Sequence, residues 1–291
     1  METRKKFNLS KVVAETQKLY SKDKNKLGLL GVGDNLRSLA DGHFLTMPKW
    51  WQDGTNTKGI PFGGYVMIAG DSDSGKTSAA IAAMKAAQDQ GIAILYVETE
   101  GKTTTKDLEN WGVDPSQVML VKASIAEEAF DTMFKLWDNF MKEYPGEKIL
   151  VIFDSIGNTV SKHDIELDMM NTNSKPGGKG KTNRAGVNAL IARMAQGSAA
   201  GLIINYTYDN IGSPGKTNAG GKGLNFFSSL TYQTSRKGWL EKTVKGQKVR
   251  TGAKVQWRLF KNHIDKANPG PKVVEFDITA EGIELAGASD E

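Results

Sequence analysis

The chain has 291 residues, of which 39% are hydrophobic and 24% are charged, and its formal net charge is +5. This is the composition of an ordinary globular protein, long enough for one large α/β domain with appendages. The absence of cysteine excludes a disulfide framework and a thiolate metal site. No apolar run has the length of a membrane span and the N-terminus has no apolar signal core, so we expect a cytoplasmic location.

The first 30 residues stand apart from the rest of the chain. Apolar residues recur at near-helical spacing over residues 12–20, which predicts a short helix, and a charged run over 22–26 follows it. Such a helix either caps its own domain or docks on a neighbouring subunit, and we expect a segment that contacts another protomer. Residues 31–63 are rich in Gly, Asp and Asn and are expected to be loop-like.

The stretch over residues 65–78 is the strongest motif. A predicted buried strand leads into G-x-x-x-x-G-K-T, and an alanine-rich helix follows. In that context the motif predicts a phosphate-binding loop, because glycines let backbone N–H groups face phosphate oxygens and the helix N-terminus adds partial positive charge. A chance glycine loop is the alternative, which the correct flanks disfavour. The predicted nucleotide-binding residues are Gly70, Asp71, Ser72, Asp73, Ser74, Gly75, Lys76, Thr77 and Ser78.

Within this loop, the chemistry assigns a role to two side chains. Lys76 is expected to reach the β- and γ-phosphates, and the Thr77 hydroxyl to ligate Mg²⁺, so ATP and Mg²⁺ are the expected cofactors. Asp71 and Asp73 carry negative charge in a loop meant for phosphate. Their side chains are therefore expected to point outward.

Two further predicted strands end in carboxylates. The strand over 92–97 runs into Glu100, and the strand over 148–153 runs into Asp154. Ligands of open α/β sheets bind at the carboxyl ends of strands. Glu100 is therefore a candidate for orienting or deprotonating the attacking water, with a solvated acidic turn as the alternative. Asp154 is a candidate for holding Mg²⁺ beside Thr77.

Two irregular stretches, residues 157–186 and 209–223, carry clustered cations: no acid lies between Lys175 and Arg184 in the first, and the second has two lysines and one acid. Flexible cationic loops suit a nucleic-acid backbone, although a merely solvated loop is the alternative. The strand between them reaches Asn205, which is expected to sense the γ-phosphate. The candidate DNA-binding residues are Lys175, Lys179, Lys181, Arg184, Lys216, Asn218 and Lys222.

The C-terminal part alternates in the manner of β-strands, with strands predicted over 254–263 and 272–278 in antiparallel pairs. The chain has no internal repeat. Its three histidines lack ligand-like spacing, so no structural metal is expected. The predicted fold class is α/β, with a mostly parallel central sheet flanked by helices and antiparallel C-terminal strands.

Taken in order, these motifs resemble the RecA-like recombinase family. The segment IPFGGYVMIAGDSDSGKT is similar to its entry strand and phosphate loop, and LYVETEG with WGVDPSQV to its catalytic-glutamate segment. The segment ILVIFDSIGNTVSK is especially similar to the Walker B segment, which binds magnesium, of phage recombinases of the UvsX type. The segments INYTYDN and GGKGLNFFSSLTYQTSRK resemble the sensor strand, the second DNA-binding loop and the strand beyond.

The resemblance implies a RecA-like P-loop ATPase and DNA-binding core over residues 31–285, with residues 286–291 as a tail. It implies a DNA-dependent ATPase that forms helical filaments on single-stranded DNA and promotes homologous pairing and strand exchange in recombination and repair. ATP would lie between two subunits, and Lys261 and His263 stand where the family places cations reaching in from the neighbour. Duplex DNA and a single-stranded-DNA-binding protein or loading mediator are further candidate partners.

Three positions depart from the family pattern. His263 replaces a permanently charged residue, Tyr206 stands where relatives carry Gln or His, and Asp107 stands where an adenine-stacking aromatic is expected. Two rival functions stay open: a core-only single-strand annealing or mediator protein, and a ring-forming helicase motor of the same superfamily. If the chain is phage-encoded, the expected location is the cytoplasm of a bacterial host.

Overall fold

A computed structural model of the chain describes residues 8–19, 42–166, 178–209, 216–219 and 222–287. The chain divides into two compact units, Met1–Gly42 and His43–Glu291. In the first unit, the described residues form α1 (Leu9–Leu19), which confirms the predicted helix. The Asn8 side-chain oxygen accepts the N–H of Lys11 at 3.1 Å and so caps the start of this helix.

The second unit contains all the other described elements. Its helices are α2 (Lys49–Thr55), α3 (Lys76–Asp89), α4 (Thr105–Asn110), α5 (Ala126–Glu143), α6 (Lys162–Glu166), α7 (Gly178–Met194) and α8 (Lys222–Phe227). Its strands are β1 (Phe44–Thr46), β2 (Gly59–Pro61), β3 (Tyr65–Gly70), β4 (Ala93–Glu98), β5 (Val118–Lys122), β6 (Ile149–Asp154), β7 (Ala199–Asp209), β8 (Lys216–Asn218), β9 (Leu230–Val244), β10 (Gln247–Asn262), β11 (Val273–Thr279) and β12 (Ile283–Leu285).

The central sheet has the order β12-β11-β10-β9-β3-β7-β6-β4-β5, with β8 paired to β7. The neighbours from β9 to β5 run parallel, whereas β9 to β12 pair antiparallel. This confirms the predicted fold class. The register sets Gly70 beside Tyr206 and Glu98 beside Asp154, so the carboxyl ends of these strands share one edge.

Helices cover both faces of the parallel strands. The buried side of α5 includes Phe130, Met133 and Trp137, which join Leu190 of α7 and side chains from the strands in one apolar cluster. Because these apolar residues recur at helical spacing, they form a continuous stripe on the helix. The alanines of α3 are buried against β4, β6 and β7, where small side chains let the helix approach closely.

The stretch over 31–63 is not wholly loop-like, contrary to the expectation. Within its described part, β1 pairs antiparallel with β2, and α2 lies between them. The Trp51 side chain is fully buried, lies 5.7 Å from the ring of Trp257, and donates its indole N–H to Thr57 at 3.1 Å. Burial of a large aromatic in the tertiary structure thus stabilises a helix that local composition does not favour.

The first cationic stretch also differs from the prediction of one long loop. Helix α7 begins at Gly178, so its early turns carry cations that we expected on a loop. The Asp164 carboxylate accepts the backbone N–H groups of Gly178 at 3.0 Å and Lys179 at 2.8 Å. These bonds satisfy donors that an isolated helix start leaves unpaired. The cap comes from a residue 14 positions away, so helical periodicity could not locate it.

Candidate nucleotide site and nucleic-acid interface

The loop between β3 and α3 has the geometry of a phosphate-binding loop. Gly75 has φ +80°, a conformation that favours glycine, and a Cβ there would meet the end of the Ile278 side chain. Lys76 folds back over the loop, and its Nζ donates to the carbonyl oxygens of Gly70, at 3.1 Å, and Asp71. The Ser74 hydroxyl lies 2.6 Å from that of Thr234, which ties the loop to β9. The loop is held in shape by its own contacts.

The two acids of the loop have hydrogen-bond or ion-pair partners on β7 and β9. Asp73 has φ +55°, and its carboxylate forms an ion pair with Arg236 of β9 at 3.0 Å. The Asp71 carboxylate accepts the Thr207 hydroxyl at 3.4 Å. Each carboxylate thus has a partner on a neighbouring strand, although both residues also line the cavity that the loop borders.

Asp154 and Thr77 meet at the end of β6. The Thr77 hydroxyl donates to Asp154 Oδ2 at 2.9 Å, and the Tyr96 hydroxyl lies 3.4 Å from the same oxygen. Asp154 is only 6% exposed, and burial raises its pKa to about 6, although the bond from Thr77 acts in the opposite direction. A hydroxyl and a carboxylate are hard oxygen ligands, so this pair fits Mg²⁺.

Glu100 lies on the turn after β4, where three side chains hold its carboxylate. Ser155 donates its hydroxyl at 3.2 Å, Asn158 donates its amide, and Lys102 forms an ion pair. Burial raises the pKa of Glu100, but the Lys102 ammonium and the two hydrogen bonds outweigh it and keep that pKa below its ordinary value. Glu100 is thus an oriented carboxylate, ionised at neutral pH.

One cavity of about 580 Å³ brings the predicted nucleotide residues together. Its walls include the whole loop from Gly70 to Ser78, together with Glu100 and Asp154. Within the described ranges, no group of three or more His, Asp or Glu side chains forms a metal site. A divalent ion at Thr77 and Asp154 would therefore depend on phosphate and water oxygens for its other ligands, as Mg²⁺ usually does.

Asn205 lies behind the cavity wall rather than on it. It is fully buried in β7, its Oδ1 accepts the backbone N–H of Tyr206 at 2.9 Å, and its Nδ2 donates to the carbonyl of Ala219 at 2.8 Å. The next residues, Tyr206 and Thr207, line the cavity. Asn205 therefore connects the wall of the nucleotide cavity to the segment just after β8.

Lys261 and His263 do not line this cavity in the described part of the chain. The Lys261 ammonium donates to the carbonyl oxygens of Asn225, at 2.9 Å, and Phe226, at 2.6 Å, at the end of α8. His263 is exposed, and its slight burial together with the cations Lys261 and Lys266 lowers its pKa. Both residues thus lie outside the group of side chains that the cavity brings together.

The candidate DNA-binding residues divide into three groups. Lys179, Lys181 and Arg184 lie on α7, and the Lys179 ammonium contacts the carbonyl of Gly157 and lies 5.6 Å from the ring of Tyr206. Asn218 is only 2% exposed, and its amide donates to Asn225 at 2.6 Å, so it faces inward. Lys175 and the side chains of Lys216 and Lys222 lie outside the described residues.

The family model described as the RecA N-terminal domain matches residues 51–284 of the chain. The chain belongs to this RecA family. It is 28% identical to "Protein RecA" of Sulfurovum sp. (strain NBC37-1) and 29% identical to "Protein RecA" of Arthrobacter sp. (strain FB24), each over 234 residues. These alignments cover 79% of the chain and 63% and 62% of the two relatives, so the chain spans less than two thirds of their length. It is also 28% identical to a "Protein RecA" of Paenarthrobacter aurescens over 224 residues, which cover 76% of the chain and 95% of that relative.

Several residues of this RecA-family site escaped the sequence reasoning. Glu98, Lys102, Ser155 and Asn158 all contact Glu100 or the turn that carries it. The signal available in the sequence was proximity, because each lies within four residues of Glu100 or Asp154.

The described ranges also contain no helix long and apolar enough to cross a membrane.

Proposed function

We propose that the chain is an ATP-dependent DNA recombinase. Its protomers assemble as a helical filament on single-stranded DNA, promote homologous pairing and strand exchange, and hydrolyse ATP to ADP and phosphate. The observation that carries this proposal is the link through β7: Tyr206 lines the cavity, and the adjacent Asn205 donates to the carbonyl of Ala219, which lies within the second cationic segment. A rearrangement of the cavity wall on nucleotide binding thereby reaches a segment suited to DNA.

At the nucleotide, the loop from Gly70 to Ser78 holds the phosphates through its backbone N–H groups, and Lys76 adds a positive charge. Thr77 and Asp154 hold Mg²⁺, which when bound neutralises charge on the phosphate oxygens. Glu100 then orients the attacking water and accepts its proton. Its support is geometric: the bonds from Ser155 and Asn158 aim the carboxylate, and the lowered pKa keeps it ionised and so able to accept a hydrogen bond from the water.

Lys261 and His263 act in this proposal on the nucleotide of a neighbouring protomer. Their support is that both lie away from the cavity of their own protomer, while the resemblance puts them at a subunit joint. The lowered pKa of His263 disfavours its charged form at neutral pH. We expect His263→Lys to raise turnover at alkaline pH. Unchanged turnover at every pH would remove His263 from the mechanism.

Single-stranded DNA is the proposed partner of the two cationic segments. Lys175, Lys179, Lys181, Arg184, Lys216 and Lys222 supply the charge, and Asn218 orders the second segment from inside. Each lysine that neutralises a phosphate contributes to the salt dependence of binding. Lys181→Ala should therefore lower the slope of log affinity against log salt by about 1. Lys142→Ala, an exposed lysine on α5, is the matched control and should leave the slope unchanged.

The decisive test compares ATP turnover with and without single-stranded DNA in the wild type and in Glu100→Gln. We expect DNA to stimulate the wild type and the variant to lose about 10²–10⁴-fold in turnover while it still binds ATP. ATP turnover that is the same with and without single-stranded DNA would refute the coupling between DNA binding and hydrolysis. Electron microscopy with DNA and a slowly hydrolysed ATP analogue should show filaments; closed rings would identify a helicase-type motor instead. Pairing of complementary strands that persists unchanged in Glu100→Gln would favour an annealing or mediator protein.

The finer assignment is to the UvsX type of phage recombinase, in the cytoplasm of a bacterial host. It is supported by the segment ILVIFDSIGNTVSK, which carries Asp154, Ser155 and Asn158 of the site. Such a recombinase would also take up duplex DNA and work with a single-stranded-DNA-binding protein or a loading mediator. Strand exchange assayed on DNA covered by such a binding protein, with and without a mediator, tests this part of the proposal.

A further inference from the structure

The turn after β4 is anchored by a carboxylate that the proposed function does not use. Glu98 is the last residue of β4 and is only 4% exposed. Its oxygens accept three successive backbone N–H groups, from Glu100 at 3.2 Å, Gly101 at 2.7 Å and Lys102 at 3.2 Å. Three hydrogen bonds to one buried carboxyl group fix the backbone from Glu100 to Lys102.

This anchored turn presents a cation to the nucleotide cavity. Lys102 lines the cavity of about 580 Å³ together with the phosphate-binding loop, and it also lines the adjoining cavity of about 290 Å³. Its ammonium forms an ion pair with Glu100 Oε2, and its side chain is 79% exposed. An ion pair this exposed is weak, so the ammonium can exchange partners at little cost.

The charges around the cavity indicate which second partner suits Lys102. Asp154 and Glu100 line the cavity, and Lys76 is bonded to carbonyls of its own loop. A terminal phosphate placed near Glu100 would face a carboxylate, and like charges at close range repel. A cation that contacts both groups removes this repulsion, and Lys102 already touches one of them.

We propose that Lys102 is a further phosphate-binding residue, whose ammonium bridges the Glu100 carboxylate and the terminal phosphate of a bound nucleoside triphosphate. A diphosphate has no group at that position, so Lys102 discriminates between the two nucleotides and favours the triphosphate. This inference rests on the proposed function, since it requires that the cavity binds ATP. It adds a residue of the same protomer to the contacts on the γ-phosphate.

The test measures the dissociation constants of ADP and of a non-hydrolysable ATP analogue, both with Mg²⁺, on the full chain without DNA. In Lys102→Ala we expect the triphosphate analogue to bind about tenfold more weakly, while ADP changes by less than about twofold. Lys102→Arg keeps the charge and should keep the discrimination. The matched control is Lys106→Ala, which removes an exposed lysine four residues away that lines neither cavity among the described residues.

A second measurement repeats the comparison in the Glu100→Gln background. There the repulsion between carboxylate and phosphate is absent, so Lys102→Ala should weaken triphosphate binding by less than it does in the wild type. Equal weakening of both nucleotides by Lys102→Ala, or no weakening of either, would overturn the role of Lys102 while the proposed function stands. A wild-type chain that binds neither nucleotide would overturn both.

Discussion

Asp154→Asn should make the metal-free, nucleotide-free protein more stable at neutral pH. The Asp154 carboxyl is 6% exposed at the end of β6, and burial raises its pKa to about 6 from an ordinary 3.8. The folded protein thus holds this proton more firmly than the unfolded chain does. As the pH rises from about 4 to about 6, ionisation favours the unfolded chain, and the stability of the wild type falls.

The size of the effect follows from the two pKa values. Each pH unit between them corresponds to 1.36 kcal/mol, so a carboxyl with a pKa of about 6 rather than 3.8 costs about 3 kcal/mol once it is fully ionised. Asparagine has no charge to bury, and its side-chain oxygen can still accept the Thr77 hydroxyl. We expect Asp154→Asn to be more stable than the wild type by about 3 kcal/mol at pH 8 and by roughly half of that at pH 5.

Urea unfolding in EDTA at pH 5 and pH 8 measures this difference. Asp131→Asn is the control, since Asp131 is exposed on α5 and its ion pair with Lys135 should contribute little at either pH. A stability difference for Asp154→Asn that is the same at both pH values, or that has the opposite sign at pH 8, would refute the burial argument. The same variant should lose Mg²⁺-dependent ATP turnover. The buried Asp154 carboxylate would then lower stability but be required for activity, a common trade-off at functional sites.

Three further substitutions separate large effects from small ones, with urea unfolding as the measurement. Trp51→Ala removes a fully buried side chain and should lower the free energy of unfolding by about 3–5 kcal/mol. A decrease below about 1 kcal/mol would show that neighbouring side chains fill the space. Arg236→Ala removes the ion pair with Asp73, whose carboxylate side chain is 71% exposed, and should cost about 1 kcal/mol or less. Gly157→Ala adds a Cβ 2.5 Å from Asn205 Oδ1 and should cost about 1–3 kcal/mol, unless β7 shifts freely.

The parts of this protein that could be predicted are those encoded within short stretches of chain. The phosphate-binding loop needs a strand, glycines at fixed spacing and a helix, all within residues 65–89. The parallel strands are continuous apolar runs that stand out in the sequence. Because parallel strands align their carboxyl ends, the sequence also implied that Glu100 and Asp154 would share a cavity with Lys76.

The errors lie where distant residues decide a local conformation. The cations Lys179, Lys181 and Arg184 lie on a helix because the Asp164 carboxylate caps its start. Asn218, a DNA-binding candidate, is buried and donates its amide to Asn225, a contact that the sequence did not indicate. In both cases the deciding contact joins residues whose proximity has no periodic signature in the sequence.

By itself, then, the sequence determined the parallel strands and the helices between them, the phosphate-binding loop and the identity of the acids at the sheet edge. Only the tertiary structure decided how those acids are held: Glu100 by Ser155, Asn158 and Lys102, and the turn beneath it by Glu98. The reason is that backbone hydrogen bonding and apolar periodicity act along neighbouring residues, whereas the orientation and ionisation of a carboxylate depend on whatever folding brings against it.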